Sequence, residues 1–198
     1  MSTTDRDERR WKIAEIAADI IARDGLDATT VRRVAAEAGF STTIVTHYFA
    51  DKQELLLWAF RRVAMRAYER FDRVAARDPA DILECLLSVT ATDETSARGW
   101  RVYLAFWEKA LVEPVFAAEQ RLWIETAVTR IEKVVRAGYG ARSDMKRIVQ
   151  LLIAVAQGIS IQALFDPESW PGAEIRQIME QQVANLLGPR EPSHRGSK

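Results

Sequence analysis

From Arg6 onward the apolar residues of the chain recur at intervals of three and four, the spacing that lines one face of an α-helix. Ile13, Ala17, Ile20 and Ile21 form the first such face, over about 6–23, and Gly25 follows where a left-handed cap closes a helix. The same period predicts further helices at about 30–38, 41–48, 51–77, 79–91, 95–112, 114–137, 143–165 and 172–187. Gly39, Pro79, Pro114, Gly138, Gly140, Pro167 and Pro171 punctuate these segments, and none of them alternates in the manner of a strand. The expected class is therefore all-α, with about nine helices.

The short pair at 30–38 and 41–48 departs from ordinary bundle spacing. Isolated helices of that length are marginal in water, so they must pack on the helices before and after them. Ala35 offers no bulk where two helices cross, Gly39 suits a turn with positive φ, and Val31, Val34, Phe40, Ile44 and Val45 supply an inward-facing core. That is the pattern of a helix-turn-helix. Ser41 is placed to cap the second helix, and Ser41, Thr42 and Thr43 crowd the end that meets base edges when such a helix enters a major groove. Thr43 and Thr46 are expected to face DNA. Asp51, with Glu54 three residues on, predicts a capping pair opening a helix of about 26 residues, some 40 Å long at the usual rise.

Charge narrows what this motif does. Lys and Arg number 28 and Asp and Glu 28, so the chain is not a polycation that coats nucleic acid indiscriminately. Within 28–52, Arg32, Arg33 and Lys52 stand against Glu37 and Asp51, a slightly basic surface whose affinity needs hydroxyl and amide contacts to phosphate and a second copy of the motif. Arg32 and Arg33 are either a solvated helix face or phosphate contacts; Arg6, Arg9 and Arg10 are candidates for an N-terminal arm on DNA. One cysteine, Cys85, cannot form an intrachain disulfide, and His47 and His194 give no zinc spacing, so neither metal nor other cofactor is expected. The charged start and the lack of an unbroken run of about 18 apolar residues predict a cytoplasmic chain without a membrane span.

The stretch ATTVRRVAAEAGFSTTIVTHYFADKQELL, residues 28–56, closely resembles the N-terminal signature of the tetracycline-repressor (TetR) family. The matching residues are Thr30-Val31, Val34-Ala35, Ala38-Gly39-Phe40-Ser41, Val45, Tyr48-Phe49, Lys52 and Leu55. Thr43 stands where the family usually has glycine, and Thr46 where it has tyrosine. The resemblance implies that Thr30, His47, Tyr48 and Lys52 contact phosphate; read alone, His47 is an ordinary surface histidine and Tyr48 a core residue. It also implies a three-helix DNA-binding domain over 1–50 and a ligand-binding and dimerisation domain over 51–188, followed by a flexible tail, 189–198, with no apolar side chain to bury. The partners implied are double-stranded DNA, a second copy of the chain and a small-molecule effector.

In the C-terminal half, Trp100, Tyr103 and Trp107 share one helical face, with Glu108 beside them and Phe116 and Trp123 on the next helix. These aromatics either wall an effector cavity or fill the core. Glu108 either balances a cationic ligand in an aromatic cage or pairs with Lys109 or Arg101. The segment LLIAVAQGISIQALFDPESW resembles the choline-responsive, BetI-like branch of the family, which implies a cationic effector; a hydrophobic one is the alternative. The helices at 143–165 and 172–187 are too apolar for surface helices, and Leu151, Val155, Gly158, Ile159, Gln162, Ile178 and Val183 are the expected dimer contacts.

The expected function is a ligand-responsive repressor that binds a pseudo-palindromic operator as a dimer and is released by its effector. A regulator that acts without ligand, or activates, fits the same residues. An all-helical enzyme does not: Cys85 has no evident base, and no phosphate loop, metal triad or nucleophile elbow is present.

Overall fold

The computed structural model describes residues 3–188, with side chains from Arg6; the tail at 189–198 lies outside them. Among the described residues there are nine α-helices and no strand: α1 (Thr3–Ala28), α2 (Val31–Ala38), α3 (Thr42–Tyr48), α4 (Lys52–Arg77), α5 (Ile82–Leu87), α6 (Glu94–Val112), α7 (Pro114–Tyr139), α8 (Met145–Phe165) and α9 (Gly172–Leu187). They form two compact units that do not follow chain order. The first comprises the chain through Arg66 together with Arg98–Leu122, and the second Ala67–Ala97 together with the chain from Trp123. The long helices α4, α6 and α7 each contribute to both.

In the first unit α1 buries Ile13, Ala17, Ile20 and Ile21, as their spacing requires. Gly25 breaks the helix at φ 82°. The basic residues expected as an arm are helical, and Arg10 is ion-paired with Glu54, its guanidinium 4.0 Å from the Trp58 ring centroid. Glu54 also completes the cap of α4: its amide donates to Asp51 Oδ1 at 2.7 Å, and its Oε2 accepts from the Ala50 amide at 2.8 Å. One carboxylate thus fixes both the start of α4 and its pairing with α1. Further along, Glu15 pairs with Arg62 and Arg66, and the Trp11 and Trp58 rings meet edge to face at 4.5 Å.

In the second unit α5 is shorter than the 79–91 expected, because Asp81 supplies the cap, accepting from the Glu84 amide at 3.0 Å. Beyond Ser88 the chain leaves the helix, and the buried Ser160 hydroxyl accepts from the Ala91 amide at 3.1 Å. Helix α8 begins at Met145, not 143; Arg142 holds the Asp144 carboxylate at 3.0 Å, and Asp144 makes no side-chain cap. Gly138 is required where it stands, since a Cβ there would lie 2.8 Å from the Ala80 carbonyl oxygen. Helix α8 is the one described helix long and apolar enough to span a membrane, although no unbroken apolar run was expected. It carries two apolar faces: Ile148, Leu152, Ile159 and Ala163 are buried, while Leu151 and Phe165 are exposed. A single buried face would have left it amphipathic.

Candidate DNA-reading face and effector cluster

The turn between α2 and α3 is built as the sequence requires. Thr30 caps α2 by accepting from the Arg33 amide, Gly39 closes it in the left-handed conformation at φ 69° and ψ 28°, and Ser41 caps α3 by accepting from the Ile44 amide. Val34 and Val45, both fully buried, hold the two helices together. This leaves Ser41, Thr42, Thr43, Thr46 and His47 exposed on α3. Thr46 donates its hydroxyl to the carbonyls of Thr42 and Thr43, which leaves its lone pairs outward. Ile44, expected inside, is 39% exposed and joins this face.

The flanking cations differ in commitment. Arg33 pairs with Asp24 and Glu37, whereas Arg32 is exposed with no ion-pair partner among the described residues. Lys52, half-buried, opens α4. Tyr48, whose role was expected to be a phosphate contact, is only 5% exposed; its ring is a core element, with His47 edge-on at 5.5 Å. An exposed hydroxyl-rich helix start, with an exposed guanidinium on the helix before it, is suited to phosphate and base-edge contacts.

The first unit also holds a continuous aromatic cluster. Phe60 of α4 stacks on Phe106 of α6 at 3.7 Å between centroids, Phe106 meets Phe116 of α7 at 5.1 Å, and Tyr103 lies edge-on to Phe60 at 5.6 Å. Trp100 adds edge contacts to Tyr103 and Trp107 at 5.3 and 5.9 Å. Of the expected ligand residues, Trp100, Tyr103 and Trp107 are therefore brought together. Glu108 is exposed and Trp123 falls in the second unit, where its ring is 5.2 Å from Tyr68 and its carbonyl accepts from the Tyr68 hydroxyl. Burial there pushes the Tyr68 phenol up to about 12.

The buried carboxylate is a different one. Glu119 of α7, 9% exposed, receives both Arg61 Nε at 2.8 Å and Nη2 at 2.7 Å, and the hydrogen bond to Glu119 raises the Arg61 pKa further. Sequence reasoning missed Glu119, Arg61 and Phe60, because a charged residue in a charged stretch of helix reads as surface until its neighbours are known.

Two family models match: "Bacterial regulatory proteins, tetR family" over residues 13–58 and "BetI-type transcriptional repressor, C-terminal" over 79–188, the latter more than half of the chain. The chain belongs to the TetR family of transcriptional regulators. Similar to this TetR-family protein is the transcriptional regulator PksA of Bacillus subtilis, 25% identical over 92% of this chain and 91% of that one. Among solved structures, a transcriptional regulator from Rhodococcus sp. Rha1 superposes with a TM-score of 0.81, at 24% identity, over 96% of this chain and 99% of the other. A regulator from Saccharomonospora viridis, solved in complex with choline, gives 0.74 at 24% identity over 94% and 100%. These structures establish that the fold is shared. TetR-family proteins are regulators and not enzymes, so the motif at α2–α3 is a DNA-binding element of a transcriptional regulator.

On α8 and α9 of this TetR-family chain, the expected dimer contacts divide. Leu151, Gly158 and Gln162 are exposed, and a Cβ built at Gly158 meets nothing within 4 Å. Val155 and Ile178 are half-buried. Ile159 and Val183, each 6% exposed, belong to the core of the second unit, because α8 packs against α9 with those side chains inward.

Proposed function

We propose that this protein is a repressor that acts in the cytoplasm as a homodimer, seating two copies of α3 in successive major grooves of a pseudo-palindromic operator and leaving it when a small molecule binds. The observation that carries this is the exposed hydroxyl face of α3, Ser41, Thr42, Thr43 and Thr46, flanked by Arg32 and His47. In this reading Thr30 and Lys52 anchor phosphates, the hydroxyls read base edges, and Tyr48 positions α3 from beneath. Residues 1–50 carry DNA recognition and 51–188 the effector site and dimerisation. The exposed apolar stripe of α8, with Leu151, Gly158 and Gln162, supplies a two-fold interface, since the small residue permits close approach of two helices.

The effector, hydrophobic or cationic, binds at the aromatic cluster of the first unit. Phe60 of that cluster belongs to α4, the helix that directly follows the DNA-reading pair, so a ligand that repacks Phe60 biases the placement of α3. Release follows from linkage: the effector weakens DNA binding only by its preference for the released conformer, and operator DNA weakens the effector by the same factor.

The test is selection of genomic fragments by the purified protein, then footprinting of the best fragment. Recovery of one palindromic site, protected on one face over two successive grooves and lost in Thr43→Ala, supports the reading; recovery of nothing above background refutes it. A compound that binds the protein and leaves operator affinity unchanged is not its effector.

A further inference from the structure

Helix α3 and its cap carry a restricted set of side chains. From Ser41 through Tyr48 the chain has no Arg, Lys, Asn, Gln, Asp or Glu. Those are the residues that recognise the major-groove edges of guanine, adenine and cytosine, most of them through two hydrogen bonds at once. What the segment exposes instead is Ser41, Thr42, Thr43, Ile44, Thr46 and His47, and Thr42, Thr43, Ile44 and Thr46 all bear methyl groups. Among the described residues Ile44 is the first exposed large apolar side chain along the chain, and the next is Leu111. Helix geometry sets that exposure: Val45 is buried, and its predecessor lies about 100° round the helix from it.

The hydroxyls of this segment are in part committed to its own backbone. Thr46 Oγ1 donates to the carbonyls of Thr43 at 3.1 Å and Thr42 at 3.2 Å, and Ser41 Oγ accepts from the Ile44 amide at 3.3 Å. A hydroxyl has one proton, so Thr46 has none to give to a base; what remains is an acceptor and a γ-methyl group. A hydroxyl also pairs with any of the four bases, so it discriminates weakly among them. Apolar contact is selective. Thymine alone carries a methyl group on its major-groove edge, and an apolar side chain that covers this group removes both from water.

We infer that this protein reads its operator through thymine 5-methyl groups, with Ile44 as the specificity-determining residue and the methyl groups of Thr43 and Thr46 completing the apolar contact. This rests on the reading of α3 as the helix seated in the major groove and goes beyond it in fixing which base is read and by which atoms. Arg32 and Lys52 hold phosphates in this arrangement and carry no sequence information. The thymines recur at one offset in both half-sites, because a two-fold dimer presents Ile44 twice.

The experiment uses the full chain and one genomic fragment library amplified twice, with deoxythymidine triphosphate or with deoxyuridine triphosphate. Uracil pairs as thymine does, keeps the same hydrogen-bonding edges in both grooves and lacks only the 5-methyl group. The best fragment from the thymine library is expected to bind more weakly in its uracil form by about fourfold for each covered methyl group, thus about sixteenfold for one in each half-site. Returning thymine to the base pairs whose major groove the protein protects is expected to restore full affinity, and returning it elsewhere to restore none. In Ile44→Ala, an exposed position whose melting temperature is expected to match that of the wild type, the ratio of thymine to uracil affinity falls by about fourfold or more, and Ile44→Val falls between the two. Equal affinity for the two forms of the fragment, restoration by thymines outside the protected grooves, or a wild-type ratio in both Ile44 variants each overturns the inference. A fragment bound equally in both forms removes this inference and leaves the repressor reading standing; a thymine library that yields no fragment refutes that reading and this inference with it.

Discussion

The Arg61–Glu119 pair makes an asymmetric prediction. Arg61→Met takes from Glu119, 9% exposed, the bidentate guanidinium that holds both of its oxygens. Removing one partner of a buried pair costs about 3–5 kcal/mol, and the partial exposure of Arg61 places this case at about 3. Glu119→Gln is milder: the amide oxygen still accepts one bond, and the Arg61 side chain, 34% exposed, recovers water. Its expected cost is about 1 kcal/mol, the charge-assisted part of the bond. In a chain of this length 1 kcal/mol corresponds to about 2–4 °C in Tm, so Arg61→Met lowers Tm by about 6–12 °C and Glu119→Gln by about 2–4 °C. The double variant Arg61→Met, Glu119→Leu removes both charges and melts above Arg61→Met alone, because no ion is left buried. Thermal unfolding followed by circular dichroism measures all three. Equal losses in the single variants, a larger loss in Glu119→Gln, or additive losses in the double variant would refute the reasoning.

Three further outcomes are expected. Gly39→Ala has free space around the new methyl group, so its cost is the left-handed backbone alone, about 1–2 kcal/mol, read as a lower denaturant midpoint. Asp93, just before α6, accepts from the Ser96 amide at 2.7 Å, and the bonds from Ser96 hold its carboxyl below the ordinary range. A depressed folded pKa means stability that is present above the unfolded value of about 3.9 and lost as pH falls through the folded one; Asp93→Ala therefore costs about 1 kcal/mol at neutral pH, a gap that closes in acid unfolding below about pH 4. Burial drives the Cys85 thiol up to about 12, so an aromatic disulfide reagent leaves the native protein untouched at pH 8 and reacts once it is denatured, where fast reaction of the native protein would contradict the burial.

The sequence by itself determined the all-helical class with about nine helices, the caps at Ser41 and Asp51, the glycine turn at Gly39 and the family signature. These follow from local rules: periodicity, cap chemistry and backbone sterics act between residues a few positions apart, so the chain order contains them. The same logic placed Trp100, Tyr103 and Trp107 on one face. Tertiary structure alone decided the rest. That Arg10 turns onto Trp58 and Glu54, that Glu119 and not Glu108 is the buried acid, that Tyr48 is core, that Ile44 is exposed and that Trp123 lies against Tyr68 all depend on partners 10 to 60 residues away along the chain. So does the division of α8 between a buried face with Ile159 and an open one with Gly158. A helix apolar on every side carries no periodic signal of which side meets its own protomer, and a charged side chain carries none of whether its counter-ion waits on another helix.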